Sequence, residues 1–302
     1  MSTTTVLELI QQATGELGLS VPSSAVGNTN TDVIQLLALI NAVGYESIRE
    51  YDWQAKNKLN LFQTNYLTTT GTVTSGSAII TGIPSTATLS ARYQVTGSGI
   101  LQNAQILTVD SATQVTVNQQ ATSTPTAPVA LTFSQTQYAM PSDYDRQIDR
   151  THWDKTQHWQ MIGPETAQQW EWLTSGFIAV GPRVRYRIFG DYFQIWPALG
   201  VSHLLGFEYV ANSWAASTSG AAKTSFTVDT DTCIFPDRLM VLGLKHKYYQ
   251  AKGLGDVFKA DYEDQYSIAV ANDSGSQTLS MNPRVPEVLL GWNNIPSSGF
   301  GA

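Results

Sequence analysis

Apolar residues recur at spacings of three and four near the N-terminus, so the chain opens with helices. Val6, Ile10, Ala13 and Leu17 form one stripe behind Thr5-Val6-Leu7-Glu8, which fits a capping box, and Gly18 ends the element. After a connector rich in Pro, Ser, Gly and Asn (Val21 to Asn30), Asn30 or Thr31 can cap a longer helix running to about Tyr51. Val33, Leu36, Leu37, Ile40, Val43, Ile48 and Tyr51 line its buried face. Near the other end Pro236 starts a further long helix, to about Ala271. It carries Leu239, Leu242, His246, Tyr249, Phe258, Tyr262, Tyr266 and Ala269, and Gly253-Leu254-Gly255 should bend or interrupt it.

Between these helices the period changes. From Thr68 to about Phe133 short β-branched runs (71–75, 78–82, 93–97, 104–109 and 114–118) alternate with Gly, Ser and Asp turn signals. The same stretch holds one Arg (Arg92), one Asp (Asp110) and no Lys, Glu or His, an abrupt boundary that marks an inserted β-sandwich or barrel module. Residues 138 to 175 are mixed, with a helix expected from Pro164 into Gln168-Gln169-Trp170. The segments 183–188, 191–196 and 204–210 read as strands of a small sheet. Beyond Asn272 no period survives, and the segment reads as an extended tail. The expected fold is therefore α+β: a helical core with long helices near both ends and a small β element (residues 1–67 and 134–271), the inserted all-β module (68–133) and the extended C-terminal tail (272–302).

Charge narrows the function classes. Of 302 residues only 14% are charged, with a net charge of -7, whereas proteins that grip nucleic acid usually carry a basic excess. The N-terminus lacks the basic and apolar regions of a signal peptide, and no stretch reaches membrane-spanning length without polar interruption, so a soluble chain made in the cytoplasm is expected. A surface poor in charge, with eight Trp and thirteen Tyr, suits contact with other protein subunits.

No constellation of catalytic or metal-binding residues emerges. His152, His158, His203 and His246 are scattered, and the single Cys233 has no partner thiol. Asp143, Asp145, Asp149 and Asp154 lack the spacing and the glycine of a calcium loop, and Gly97-Ser98-Gly99 lacks the Lys and the following helix of a phosphate loop. A non-enzymatic protein without cofactor or metal is expected. The informative charge pattern is Arg183-Val-Arg-Tyr-Arg, which places Arg183, Arg185 and Arg187 on one face of a strand. Such a row suits a subunit contact, and an ordinary exposed sheet face produces the same alternation. In the tail, Val288, Leu289, Leu290, Trp292, Ile295 and Phe300 form a spread of apolar anchors suited to docking on a partner.

The host framework resembles bacteriophage head-to-tail adaptor (connector) proteins and the tail tubular proteins of short-tailed phages. The resemblance is carried by Tyr138-Ala-Met-Pro-Ser-Asp-Tyr-Asp-Arg, Gly163-Pro-Glu-Thr-Ala-Gln-Gln-Trp, Arg185-Tyr-Arg-Ile-Phe-Gly-Asp-Tyr-Phe-Gln-Ile-Trp-Pro, Phe207-Glu-Tyr-Val, Leu242-Gly-Leu-Lys-His-Lys-Tyr-Tyr-Gln-Ala-Lys-Gly-Leu and Pro296-Ser-Ser-Gly-Phe-Gly. It implies a structural virion protein at the head-tail junction. The implied assembly is a dodecameric ring beneath the portal protein, joined to a downstream nozzle or tube protein, through which genomic double-stranded DNA passes without specific binding. An acidic channel agrees with that, because it repels phosphates and lets DNA slide. The alternative reading is a tail-fibre or adhesin subunit that binds host carbohydrate, motivated by the β insert and the tryptophans.

Overall fold

The computed structural model describes residues 4–125, 128–175, 181–255 and 257–274. In chain order the elements begin with α1 (Val6–Leu17) and α2 (Thr31–Glu50). Strands β1 (Asn57–Gln63), β2 (Tyr66–Val73), β3 (Ile79–Thr81), β4 (Gln94–Gly97), β5 (Ile106–Ser111), β6 (Gln114–Val117) and β7 (Val129–Ser134) follow. Next come β8 (Gln137–Ala139), β9 (Tyr144–Gln147), β10 (Trp153–Asp154), β11 (Trp159–Gln160) and α3 (Ala167–Thr174). The last third holds β12 (Arg185–Phe189), β13 (Tyr192–Trp196), β14 (Leu204–Ala211), β15 (Ala215–Ala216), β16 (Ala222–Lys223), β17 (Thr232–Cys233), α4 (Asp237–Ala251) and α5 (Lys259–Ser274). The chain divides into two compact units. One is built from the described parts of 1–58, 143–146 and 209–302, the other from those of 59–142 and 147–208.

The expected α+β class with a helical core and long helices near both ends does not hold. Among the described residues the architecture is mostly β, four antiparallel sheets built from 17 strands, with five helices of 8 to 20 residues. Two causes account for the difference. Strands of two to four residues, β8 to β11, are too short to show a period, so the segment 138–175 read only as mixed. The expected helix from Pro236 to Ala271 is also two helices, α4 and α5, separated at Gly253-Leu254-Gly255, where Gly253 has φ 81.

In the first unit the helices bury the stripes that their spacing predicts. Thr5 caps α1 with a reciprocal capping box to Glu8, and Asn30 caps α2 by accepting from the Asp32 N–H. Leu9, Ile10, Leu36, Ile40, Leu239 and Leu244 belong to one apolar cluster with Trp53, Trp214, Phe226 and Phe235. Trp214 packs edge-on against Phe226, ring centroids 4.8 Å apart. It lies so close to α2 that a Cβ on Gly44 would sit 2.4 Å from its ring, so only glycine fits there. Charged groups beside this core are paired. Lys245 and Arg238 reach the Glu16 carboxylate at 2.7 and 2.6 Å. Asp231 is fully buried; burial opposes its ionisation, but Lys223 at 2.7 Å and the N–H groups of Thr227 and Val228 outweigh that and hold its carboxyl below the usual range.

The second unit contains the six-stranded sheet β4-β7-β2-β3-β6-β5, whose inner face buries Val95, Ile106, Val115, Leu131 and Phe133. Its strand β2 pairs with β7 so that Thr68 faces Thr132 and Leu67 faces Phe133. Beside it stand the three-stranded sheet β12-β13-β8 and the helix α3, capped by a second reciprocal capping box between Thr166 and Gln169. A further sheet has the order β1-β14-β10-β11.

Candidate functional site

The site grows from a hairpin. Gly190 takes φ 57 in the two-residue connection between β12 and β13, a left-handed conformation that glycine adopts without cost and that fits the twist of a tight hairpin. That turn fixes the register: Arg187 faces Gln194, Phe189 faces Tyr192, and Arg185 faces Trp196. On the other side of β13, Gln194 faces Gln137 of β8 and Phe193 faces Tyr138. Because side chains alternate along each strand, the sheet has two distinct faces.

One face is aromatic. Tyr186 and Phe193 lie nearly parallel, centroids 5.2 Å apart, and Phe207 stacks on Phe193 at 4.9 Å. The His152 ring is inserted in the same stack, 4.0 Å from Tyr186 and 5.2 Å from Phe207, with interplanar angles of 12° and 13°. His152 is 1% exposed and neither ring nitrogen has a hydrogen-bond partner among the described residues. Burial pushes its pKa down to about 4, against the opposing pull of Asp149, so the ring is neutral.

The other face is polar and borders a cleft of about 530 Å³. Arg187, Gln194 and Gln137 form a cross-strand row along one wall, Trp196 lies beside it, and α3 together with Arg92 and Gln105 supplies the opposing sides. Gln194 is only 6% exposed, and its carboxamide makes no hydrogen bond to any described residue. The Trp196 indole N–H is buried and equally unpartnered among the described residues. Asn103 ties the cleft's edge to α3 by donating to the Thr174 carbonyl at 3.2 Å.

The three arginines singled out from the sequence have three different settings. Arg185 is bound to the Glu165 carboxylate at 2.5 Å, and that carboxylate's side chain is 6% exposed. Arg187 lies over the Phe189 ring, 4.9 Å from its centroid, and lines the cleft. Arg183 is exposed and precedes the strand. Val288, Leu289, Leu290, Trp292, Ile295 and Phe300 lie outside the described residues. Reasoning from the sequence missed Gln137, Gln194 and Trp196 as a set. The signal was present, because Gln194 and Trp196 share the phase of Arg187 once the Gly190-Asp191 turn is placed.

A buried, unpartnered indole N–H beside a cross-strand row of polar side chains, facing a cleft, is an arrangement that can hold a ligand or a protein segment. The family model of the SU10 adaptor protein matches residues 101–284, more than half of the chain, and the chain belongs to that family of bacteriophage adaptors. No curated protein matches the chain. As a phage structural adaptor it is a component of the virion and associates with other virion proteins. No helix among the described residues is long and apolar enough to cross a membrane.

Proposed function

We propose that this adaptor is a non-enzymatic head-to-tail connector, a homo-oligomeric ring beneath the portal protein that continues the DNA channel toward the downstream nozzle or tube protein. Membership of the phage adaptor family over residues 101–284 is the observation that carries the reading. The net charge of -7 supports it, since a channel subunit that gripped phosphates would retard the passing genome. In this reading the core of residues 1–67 and 134–271 builds the ring and carries the module 68–133 as an insert. Residues 272–302 reach onto the portal or a neighbouring subunit.

Imaging of the purified chain mixed with portal rings by negative stain tests the proposal. The expected particle is a portal with an added coaxial ring and an open axial hole. Rods, or portal rings with no added density at any concentration, would overturn it, and rods would favour a fibre subunit.

A further inference from the structure

Arg92 and Arg187 both line the 530 Å³ cleft, and neither guanidinium has an ion-pair partner among the described residues. This occurs in a chain with an excess of carboxylates. Glu171 is the one acidic residue of the lining, so the cleft retains a net positive charge. The same lining holds Gln194, 6% exposed and with no side-chain hydrogen bond to a described residue, and the Trp196 N–H, which is buried without a partner among the described residues and is costly there unless something hydrogen-bonds to it.

We infer that this cleft is a binding site for an acidic peptide segment of another protein. The Gln194 and Gln137 carboxamides each offer a donor and an acceptor, the same pair that a peptide bond presents, and they sit in one cross-strand row with Arg187. The guanidiniums of Arg187 and Arg92 take the segment's carboxylates, for which their planar donor fork is matched. A sugar is a poorer occupant. Trp170 and Trp196 are buried rather than presented as stacking platforms, and the exposed Phe189 ring already carries Arg187 over its face. A phosphate backbone would meet two cations in an otherwise acidic chain, which is too few for nucleic acid.

The test uses the full chain, labelled with nitrogen-15, against an array of random-sequence peptides graded in Asp and Glu content. A neutral N-acetylglucosamine oligomer and a duplex oligonucleotide serve as further probes. Retention should rise with acidic content, and retained peptides should shift the Trp196 indole N–H resonance. Arg92→Ala and Arg187→Ala, both on solvent-accessible side chains, should each weaken retention at least tenfold with an unchanged near-ultraviolet circular dichroism spectrum. Retention that ignores acidic content or both substitutions would overturn the proposal, as would a Trp196 shift produced by the sugar or the duplex and not by peptides. The inference stands apart from the ring and portal reading, because retention is measured on the isolated chain while ring formation is read by imaging.

Discussion

The core of the first unit and the β12-β13-β8 sheet of the second solve the burial problem in different ways. Helices α1 and α2 each turn one apolar stripe inward, α4 is buried all round from Leu239 to Lys245, and the charged groups at the edge of that core, Glu16 with Lys245 and Asp231 with Lys223, are matched. The sheet has no solvent side of the ordinary kind. One face is closed by parallel aromatic rings around a neutral histidine, and the other borders a cleft lined by the Gln194 carboxamide and an unpartnered, buried Trp196 indole N–H. In the first unit, then, the charged groups are paired, although the buried Trp214 indole N–H lacks a partner among the described residues just as the Trp196 N–H does. What sets the sheet apart is that its unpaired polar groups line an open cleft together with Arg187, the property a recognition surface needs.

The largest effect should come from the helical side of this comparison. Trp214→Ala removes the ring that fills the space above Gly44, so urea unfolding should report a loss of about 3–5 kcal/mol, the usual range for deleting a buried aromatic. A loss under about 1 kcal/mol would mean that the cluster refills the space, contradicting the tight packing that excludes a Cβ at Gly44.

The aromatic face should give the next effect, through pH. The unfolded chain protonates His152 near its ordinary 6.5 while the folded chain resists to about 4, so between these values the unfolded state binds more protons. Stability from this group is therefore complete above 6.5 and declines as pH falls toward 4. The total loss approaches about 3 kcal/mol by the usual conversion of 1.36 kcal/mol per unit. His152→Phe should keep the stack and remove this part of the acid sensitivity. A variant whose melting temperature falls with pH just as the parent's does would show that carboxylates elsewhere dominate.

How much of this could be read in the sequence follows the same division. The stripes of α1 and α2, the caps at Thr5 and Asn30 and the break at Gly253-Leu254-Gly255 were legible because a helix of 12 or 20 residues repeats its signal over several turns. The mostly β architecture was not. Strands such as β10 and β11, two residues each, have no period to detect, and the pairing of β10 with β14, Trp153 opposite Gly206, is a long-range choice. The alternation of Arg183, Arg185 and Arg187 was visible, yet alternation reports only which residues share a face. Whether that face meets water, a buried carboxylate or a cleft depends on what packs against it. Glu165, twenty positions from Arg185, and Trp170 on α3 supply that information here.

The smallest effects separate the arginines of that face and sharpen the comparison most. Arg185→Ala leaves the Glu165 carboxylate, 6% exposed, without its counter-ion, so a loss of about 1–3 kcal/mol is expected from a buried charged group deprived of its partner. Arg187→Ala removes only a contact with the exposed Phe189 ring, worth about 0.5–1 kcal/mol at an open site. Arg183→Ala, on an exposed residue outside the strand, should stay within about 0.5 kcal/mol. If the row acted only as a stabilising ion network, the three losses would be similar and would all shrink in salt. The structure instead predicts that Arg185 carries stability while Arg183 and Arg187 carry association. The double variant Arg183→Ala/Arg187→Ala should therefore melt close to the parent while binding its virion partners more weakly, most visibly at low ionic strength. Sedimentation of parent and double variant with portal rings across a salt series measures this. Equal co-sedimentation at every salt concentration would remove both arginines from the portal contact, leaving Arg183 a solvated side chain, Arg187 to the cleft alone and Arg185 to its pairing with Glu165.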